Sequence, residues 1–256
     1  MSRMGQLAGP SMQKCSSTAR QSEAGRRAQR CRECTVRQNA LFVGLSPSEL
    51  DEIAPAVPDL VVPAGETLYD AETHADALFI VRRGVVKLVN YLPDGSYRIV
   101  RLARRTDVLA LETLLGEPCD HTAEALTEVE VCRVPISVVR TVMERQAWLS
   151  TRMIHHWHLA VQKAHGWLTH YATGGARQRM ARLLADLHDE CASAESPRPA
   201  VELPSRDDVG AILGITKETA SRLISDFRRS GLVNKVDARR VEVDRMRLEE
   251  IAGSDG

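Results

Sequence analysis

The sequence lacks net charge and long apolar segments. Its 34 Lys and Arg residues are balanced by 34 Asp and Glu residues, so the chain as a whole carries no field that would attract a polyanion or a membrane surface. No apolar run approaches the roughly 20 residues that span a bilayer. We therefore expect no membrane partner, and any binding of nucleic acid must depend on a local basic patch.

Targeting and catalytic motifs are also absent. Residues 1–30 have no apolar middle of the kind that a secretory signal carries, and they predict a disordered tail on a cytoplasmic protein. Without an export signal, the six cysteines predict reduced thiols rather than a disulfide framework. There is no Gly-rich phosphate loop, nucleophile elbow or His-Glu-x-x-His motif, so we do not expect an enzyme.

The pattern along the chain predicts an α+β protein whose first domain is a β-roll. From about residue 60 to 134, short β-branched runs are broken by Gly84 and by Pro93-Asp94-Gly95. An Asp-Gly pair between apolar runs indicates a hairpin. We expect residues 31–145 to form a sensor domain built on a compact antiparallel sheet.

Residues 146–174 predict one long dimerisation helix. Six side chains form an a/d seam with alternating spacings of four and three, and three more repeat every seven residues. A stripe this wide suggests that the helix packs on its own sheet domain and also pairs with a second copy. The alternative is burial within one chain. The seam is Met153, Trp157, Ala160, Ala164, Trp167 and Tyr171, widened by Ile154, Val161 and Leu168.

The remainder of the chain, residues 175–256, predicts a winged helix-turn-helix domain. Ser205 and Thr216 are typical helix N-caps, and Gly214 between the two helices permits a tight turn. Around this unit, residues 176–192 predict a helix, residues 193–204 a loop and residues 232–244 a two-stranded wing.

The second helix of this unit has two distinct faces. Its apolar positions, spaced as i, i+3, i+4 and i+7, belong to the core, and a polar row with the same spacing points away from it. In a helix-turn-helix the N-terminal half of this helix enters the major groove, where Arg reads guanine and Glu accepts from cytosine. The apolar set is Ala220, Leu223, Ile224 and Phe227, and the polar set is Glu218, Ser221, Arg222 and Ser225.

Positive charge is concentrated around this helix. Residues 215–240 contain seven basic and three acidic residues, which provides the local patch that the balanced total conceals. The alternative, a helical hairpin with a solvated charged face, leaves the glycine turn, the two caps and the double periodicity unexplained. We therefore predict double-stranded DNA as a partner. The predicted DNA-binding residues are Ser205, Thr216, Lys217, Glu218, Thr219, Ser221, Arg222 and Arg228.

A β-roll, a long dimerisation helix and a C-terminal winged helix together resemble the Crp/Fnr family of bacterial transcription regulators. The segment LPSRDDVGAILGITKETASRLISDFRRSGLV resembles the DNA-binding signature of that family. Within it, Glu218, Ser221 and Arg222 match the Glu-x-x-Ser-Arg pattern of the Fnr-type branch. The resemblance implies a homodimer that reads a palindrome of TTGAT-like half-sites and has RNA polymerase as a partner.

The resemblance also bears on cyclic nucleotides. The cyclic-AMP branch holds phosphate with a Gly-Glu pair and a downstream Arg-Ser pair, and the corresponding positions here are Ala110-Leu111 and His121-Thr122. Because histidine cannot reproduce the bidentate contact of arginine with a phosphate, we do not expect cyclic AMP to bind. A cyclic-nucleotide-responsive regulator of the same family is the alternative.

A Cys-x-x-Cys pair, Cys31 and Cys34, could hold a metal, an iron–sulfur cluster or a reversible disulfide. The resemblance to oxygen-sensing Fnr proteins implies that these two thiols and Cys132 bind a [4Fe–4S] cluster. One cysteine of that pattern is missing, since its possible positions are Ala40 and Phe42. The candidate ligands are therefore Cys31, Cys34, Cys132 and, in place of the missing thiolate, Cys15 or a non-cysteine group.

Other signals remain open from the sequence. The thiols could sense oxidants directly or through Zn²⁺, since Arg30 and Arg32 beside Cys31 favour thiolate. The sheet domain could sense nitric oxide through haem, or the regulator could have no bound effector. Five histidines of the long helix are candidate haem ligands, but they avoid the a/d seam, so we expect them on a solvated face. They are His155, His156, His158, His165 and His170.

Overall fold

A computed structural model gives the architecture of the chain. The predicted tail, residues 1–30, which includes Cys15, lies outside the described residues except for Gln29. Ala40 also lies outside the described residues. The residues that the structure describes are 41–191 and 199–253, together with Gln29, Cys31, Glu33 and Cys34. Within these residues, no helix has both the length and the hydropathy to cross a lipid bilayer.

The N-terminal domain is a roll of two antiparallel sheets, as predicted. Its strands are β1 (Asp59–Val62), β2 (Thr67–Tyr69), β3 (Ala77–Arg83), β4 (Val86–Tyr91), β5 (Tyr97–Ala103), β6 (Val108–Leu109), β7 (Thr122–Ala125) and β8 (Val129–Pro135). One sheet has the order β1-β8-β3-β6 and the other the order β2-β7-β4-β5.

The hairpin predicted from the Asp-Gly pair joins β4 and β5. Gly95 has a φ of 82°, in the left-handed region that glycine adopts without steric cost. The backbone N–H of Ser96 donates to the Asp94 carboxylate at 2.9 Å, and the Leu92 N–H donates to the Ser96 carbonyl at 2.8 Å. The turn is thus closed by local bonds, which is why the sequence alone locates it.

Strand β3 separates two apolar clusters because successive side chains of a strand point to opposite faces. Phe79 and Val81 belong to the core between the two sheets. Leu78 and Ile80 belong to a second cluster, to which three helices contribute side chains. These helices are α1 (Pro47–Ile53), α2 (Ile136–Arg145) and α3 (Trp148–Tyr171).

Helix α3 carries two apolar stripes with different surroundings. Leu149, Met153 and Tyr171 are buried against the chain's own domains, whereas an outer stripe is exposed. The predicted a/d seam is divided between these two surroundings, because Met153 and Tyr171 are buried whereas Trp157 and Ala164 are exposed. The outer stripe consists of Ile154, Trp157, Val161, Ala164 and Leu168.

His156 contradicts the expectation that the histidines of this helix are solvated. It is 7% exposed, whereas the other four histidines of α3 are exposed. His156 lies three residues after Met153 and so falls on the inner stripe. Burial, reinforced by the positive charge of Arg152, lowers the pKa of His156 to about 4.

The C-terminal domain contains the predicted helix-turn-helix and wing. Its elements are α4 (Ala176–Cys191), β9 (Val201–Glu202), α5 (Arg206–Leu213), α6 (Lys217–Arg229), β10 (Val233–Lys235), β11 (Arg240–Val243) and α7 (Arg245–Gly253). The prediction of a loop over 193–204 was wrong at β9, which pairs with β11 as a third strand. Strand β9 was missed because two residues are too few to show a periodic pattern. Helix α7 was not predicted either.

The two domains pack directly against each other. Val89, Ile99 and Leu102 of the roll belong to the same buried cluster as Leu213 of α5 and Ile224 of α6. This cluster continues the core of the C-terminal domain onto the face of β4 and β5. Apolar contacts thus hold the helix-turn-helix against the sensor roll.

Candidate functional site

The turn between α5 and α6 is fixed by two glycines and a cap. Gly214 has a φ of 64°, and a Cβ on Gly210 would lie 2.7 Å from the carbonyl oxygen of Ile215. The Thr219 N–H donates to the Thr216 hydroxyl at 3.2 Å, which confirms the predicted cap of α6. Gly214 was predicted from the sequence, whereas Gly210 was not, because its role depends on the close approach of the Ile215 carbonyl in the folded turn.

Helix α6 has the two faces that its periodicity predicts. Ala220, Leu223, Ile224 and Phe227 are buried, and the Arg177 guanidinium lies 4.8 Å from the centre of the Phe227 ring. The opposite row is exposed along the whole helix and contains Glu218, Ser221, Arg222 and Ser225. The buried face thus holds this row at the surface of the domain.

The charged groups of this surface differ in how they are paired. Lys217 Nζ lies 2.7 Å from Asp207, and Arg240 lies 2.6 Å from Asp237. By contrast, neither Arg222 nor Arg228 forms an ion pair with any part of the chain that the structure describes. These two guanidinium groups therefore keep their hydrogen-bond donors available for an anionic partner.

Glu218 is held in its charged form by the start of the helix. Its own backbone N–H and then the Thr216 hydroxyl lower the pKa of the Glu218 carboxyl. An ionised carboxylate only accepts hydrogen bonds. One face of α6 therefore presents a strong hydrogen-bond acceptor, the Glu218 carboxylate, beside a strong donor, the Arg222 guanidinium.

Ser205 caps α5 and contacts a residue that links the domains. The Asp208 N–H donates to the Ser205 hydroxyl at 3.0 Å, and that hydroxyl donates to the Asp208 carboxylate at 2.7 Å. The Asp208 carboxylate also accepts from Lys87 at 2.8 Å and from the Tyr97 hydroxyl at 3.2 Å. The predicted DNA-binding surface is thus connected to strands β4 and β5 of the roll.

Lys87 bridges two carboxylates from different domains. Its ammonium lies 2.8 Å from Asp208 and 3.0 Å from Glu124 of β7. Burial alone would lower the pKa of Lys87, but hydrogen bonds and charges from Asp208 and Glu124 raise it. Sequence reasoning missed this contact, because 121 residues separate Lys87 from Asp208.

The cysteines lie at the edge of the apolar cluster beneath α1 and α2. Cys34 and Cys132 both pack against this cluster, and the Cys132 thiol donates to the Asp59 carboxylate at 3.5 Å. Arg82 forms an ion pair with Asp59 at 3.0 Å, and Cys132 and Cys34 lie close enough to raise the pKa of its guanidinium. Cys31 is close enough to Cys132 to affect its pKa. The fold thus brings the three described candidate thiols to one region.

Burial is the largest influence on Cys132. Burial and then the charge of Asp59 raise the pKa of its thiol, while Arg82 opposes the effect. In the described residues, Cys31, Cys34 and Cys132 form no disulfide, and their sulfur atoms are not all within 4.8 Å of one another. The three thiols would therefore have to move closer together to bind a single metal ion. A cluster makes a weaker demand on their spacing, because each thiolate binds a separate iron.

No fourth thiol is present among the described residues of this region. Phe42, one of the two positions of the missing cysteine, is 8% exposed and belongs to the apolar cluster. Asp59 is the oxygen donor that contacts Cys132. The other candidates, Cys15 and the position of Ala40, lie outside the described residues.

The positions that correspond to a cyclic-nucleotide pocket contain no arginine. Ala110 has a φ of 60° and is buried with Leu111. The Thr122 hydroxyl accepts from the Ala71 N–H at 3.0 Å and so is engaged within the fold. His121 is half-buried, with Asp120 beside it in the chain.

Two family models match the chain. The model of the cyclic nucleotide-binding domain matches residues 60–146, and the model of the Crp-like helix-turn-helix domain matches residues 178–251. The first range contains most of the roll and α2. The second contains α5, α6 and the wing.

Known regulators resemble the chain over most of its length. The transcriptional regulatory protein btr of Bordetella pertussis is 26% identical over 228 residues, which cover 88% of this chain and 94% of that protein. The fumarate and nitrate reduction regulatory protein of Vibrio cholerae is 23% identical over 237 residues, covering 92% and 95%. The structure of FixK2 from Bradyrhizobium japonicum shares the fold, with a TM-score of 0.68 at 24% identity, covering 78% of this chain and 99% of that one.

The two domains, their order along the chain and the matching regulators agree with one another. They confirm the prediction of a transcription regulator rather than an enzyme. The chain belongs to the Crp/Fnr family of DNA-binding transcription regulators.

Proposed function

We propose that this regulator binds, as a homodimer, a palindrome of TTGAT-like half-sites and that its DNA binding responds to a redox or gas signal. The observation that carries the proposal is the exposed row of Glu218, Ser221 and Arg222 on α6, opposite a fully apolar face. This row matches the Glu-x-x-Ser-Arg pattern of the Fnr-type branch. The protein would act in the cytoplasm, with RNA polymerase as its further partner.

Each side chain of the row has a distinct part in the proposed contact with bases. Arg222 has free donors and is suited to the two acceptors of guanine, while ionised Glu218 is suited to the amino group of cytosine. The Ser221 hydroxyl can donate or accept and is the more permissive contact. The surrounding set that would contact the DNA backbone is Ser205, Thr216, Lys217, Thr219 and Arg228.

The homodimer is supported by the outer stripe of α3. Ile154 is 71% exposed and Leu168 is 61% exposed in a single chain, although both are large and apolar. Two copies of α3 packed along this stripe would remove that surface from water. Pairing through α3 would also present two copies of α6 to a palindromic site.

An iron–sulfur cluster is the signal-binding group that the cysteines favour. Cys132 is half-buried and its pKa is raised, which disfavours direct oxidation because that reaction requires an exposed, low-pKa thiol. Cys31, Cys34 and Cys132 would supply three thiolates, and Cys15 or an oxygen donor such as Asp59 would complete the set. When bound, a cluster of this type supplies redox chemistry that is sensitive to oxygen and nitric oxide.

The alternatives have less support from the described residues. Cyclic AMP is disfavoured because the chain has no arginine to bind its phosphate, since His121 occupies that position. Haem would use a histidine as its iron ligand, but four of the five histidines of α3 are exposed on the helix surface and His156 is buried on its inner stripe. A regulator with no bound effector remains the simplest competing hypothesis.

Replacing Arg222 by alanine tests the base contact. We expect a loss of about 1–3 kcal/mol per half-site for a TTGAT palindrome, because the paired donors to guanine are removed. Binding to scrambled DNA should change little. Arg228→Ala is the matched control, and it should weaken both DNAs alike as a lost phosphate contact. Fluorescence anisotropy at fixed salt measures the affinity for both DNAs. If the Arg222 variant kept the wild-type preference for the palindrome, the proposed base contact would be wrong.

Introducing a charge on the outer stripe of α3 tests the dimer. Val161→Glu places two carboxylates against each other across the proposed interface, so we expect the chain to sediment as a monomer. Gln162→Glu adds the same charge at the neighbouring exposed position and should leave the dimer intact. Analytical ultracentrifugation distinguishes the two, and a dimeric Val161 variant or a monomeric wild type would disprove the interface.

Anaerobic purification tests the cluster. We expect a broad visible absorption with iron and acid-labile sulfide, lost in Cys31→Ser, Cys34→Ser and Cys132→Ser. Cys191→Ser, which changes an exposed cysteine of α4, should retain the absorption. A sharp haem band would favour the haem alternative, and a colourless wild-type protein would exclude both bound groups as the signal.

A further inference from the structure

We propose that Glu112, Asp120 and His121 form a binding site for one divalent transition-metal cation. One ligand atom from each side chain can be chosen such that all three lie within 4.8 Å of one another. Among the residues that the structure describes, no other group of His, Cys, Asp and Glu side chains converges in this way. The site is separate from the cysteines and from α6, so it does not depend on the proposed function.

The backbone around Glu112 is fixed by buried anchors. Ala110 adopts a left-handed φ of 60° at the start of the 3₁₀ helix Leu111–Leu115. The Thr113 hydroxyl donates to the Ala110 carbonyl at 2.6 Å, and the Thr113 side chain is itself buried. Glu112 therefore projects from a rigid turn and not from a loose loop.

Anchors of the same kind flank the other two ligands. The Cys119 N–H donates to the Thr73 carbonyl at 2.9 Å, and the Cys119 carbonyl accepts from the Glu72 N–H at 2.8 Å. On the far side, the Thr122 hydroxyl accepts from Ala71 at 3.0 Å. Asp120 and His121 lie between these two tethered residues, so their positions relative to Glu112 are set by the fold.

The charges of the group favour a cation. Neither Glu112, Asp120 nor His121 has a side-chain hydrogen bond or ion pair within the described chain. Arg101 lies close enough for its charge to act on His121, but it forms no ion pair with either carboxylate. Two carboxylates and one guanidinium leave a net charge of one negative, which attracts a cation.

The ligand types select a class of metal. A neutral imidazole with two carboxylates suits Mn²⁺, Fe²⁺ or Zn²⁺, whereas Mg²⁺ and Ca²⁺ prefer oxygen ligands alone. Ligand atoms on one such ion lie about 3.4 Å apart for bonds of roughly 2.1 Å. Small side-chain rotations therefore suffice to close the group, and three protein ligands leave positions open for water.

The same group explains why a phosphate is disfavoured there. His121 stands at the position where the resemblance places the phosphate-binding arginine. Asp120 and Glu112 would repel a phosphate at this point, whereas they attract a metal ion. The pocket that holds an anion in the cyclic-AMP branch would thus hold a cation in this chain.

Titration with Mn²⁺ tests the site in the full-length protein. Mn²⁺ is the probe because it prefers oxygen and nitrogen ligands, so that the cysteines contribute little. After removal of metals with a chelator, the loss of the free Mn²⁺ signal in electron paramagnetic resonance measures binding. We expect one Mn²⁺ per wild-type chain, and an affinity at least tenfold lower in Glu112→Gln and His121→Gln.

Glu117→Gln is the matched control, because Glu117 is an exposed carboxylate of the same loop outside the group. Its affinity should equal that of the wild type. Asp120→Asn changes the third ligand, which is exposed. This variant should therefore fold even if substitutions at the half-buried Glu112 and His121 disturb the fold. Absence of Mn²⁺ binding by the wild type, or wild-type affinity in folded Asp120→Asn and Glu112→Gln, would overturn the proposal.

Discussion

The arrangement of this regulator depends on one largely buried ammonium group. Lys87 lies between Glu124 of the roll and Asp208 of the helix-turn-helix, and the three side chains are 11–13% exposed. A buried charge is costly unless it is fully paired, so each carboxylate requires Lys87 and Lys87 requires both. Asp208 is at the same time the partner of the Ser205 cap. The first helix of the DNA-binding unit is therefore oriented by a residue of the sensor domain.

This link gives a physical route by which the sensor could act on DNA. The cysteines pack on the same apolar cluster as Leu149 and Met153, so a change at the thiols would bear directly on the start of α3. At its other end, α3 contributes Tyr171 to the cluster that joins the roll to α5 and α6. A shift of α3 would therefore act on both the proposed dimer stripe and the domain boundary. Such a coupling requires two arrangements of the boundary that differ in affinity for DNA.

Local signals in the sequence predicted the elements that local bonds create. The Asp94-Gly95 hairpin, the caps at Ser205 and Thr216 and the two faces of α6 follow from residues close together in the chain. What could not be predicted depends on residues far apart in the chain. Lys87 and Asp208 are ordinary polar residues in their own segments, and the burial of His156 depends on which face of α3 meets the chain's own domains. The division of the α3 stripe could not be predicted for the same reason, because a wide apolar stripe does not reveal which half faces the chain's own domains.

A double-mutant cycle of Lys87→Met and Asp208→Asn tests the central claim that this ion pair holds the DNA-binding domain against the roll. Urea unfolding of the wild type, both single variants and the double variant gives the free energy of coupling between the two side chains. The account predicts a coupling of about 1–3 kcal/mol, because each single variant leaves the other partner buried without its main counter-charge. Additive effects, with a coupling near zero, would contradict it.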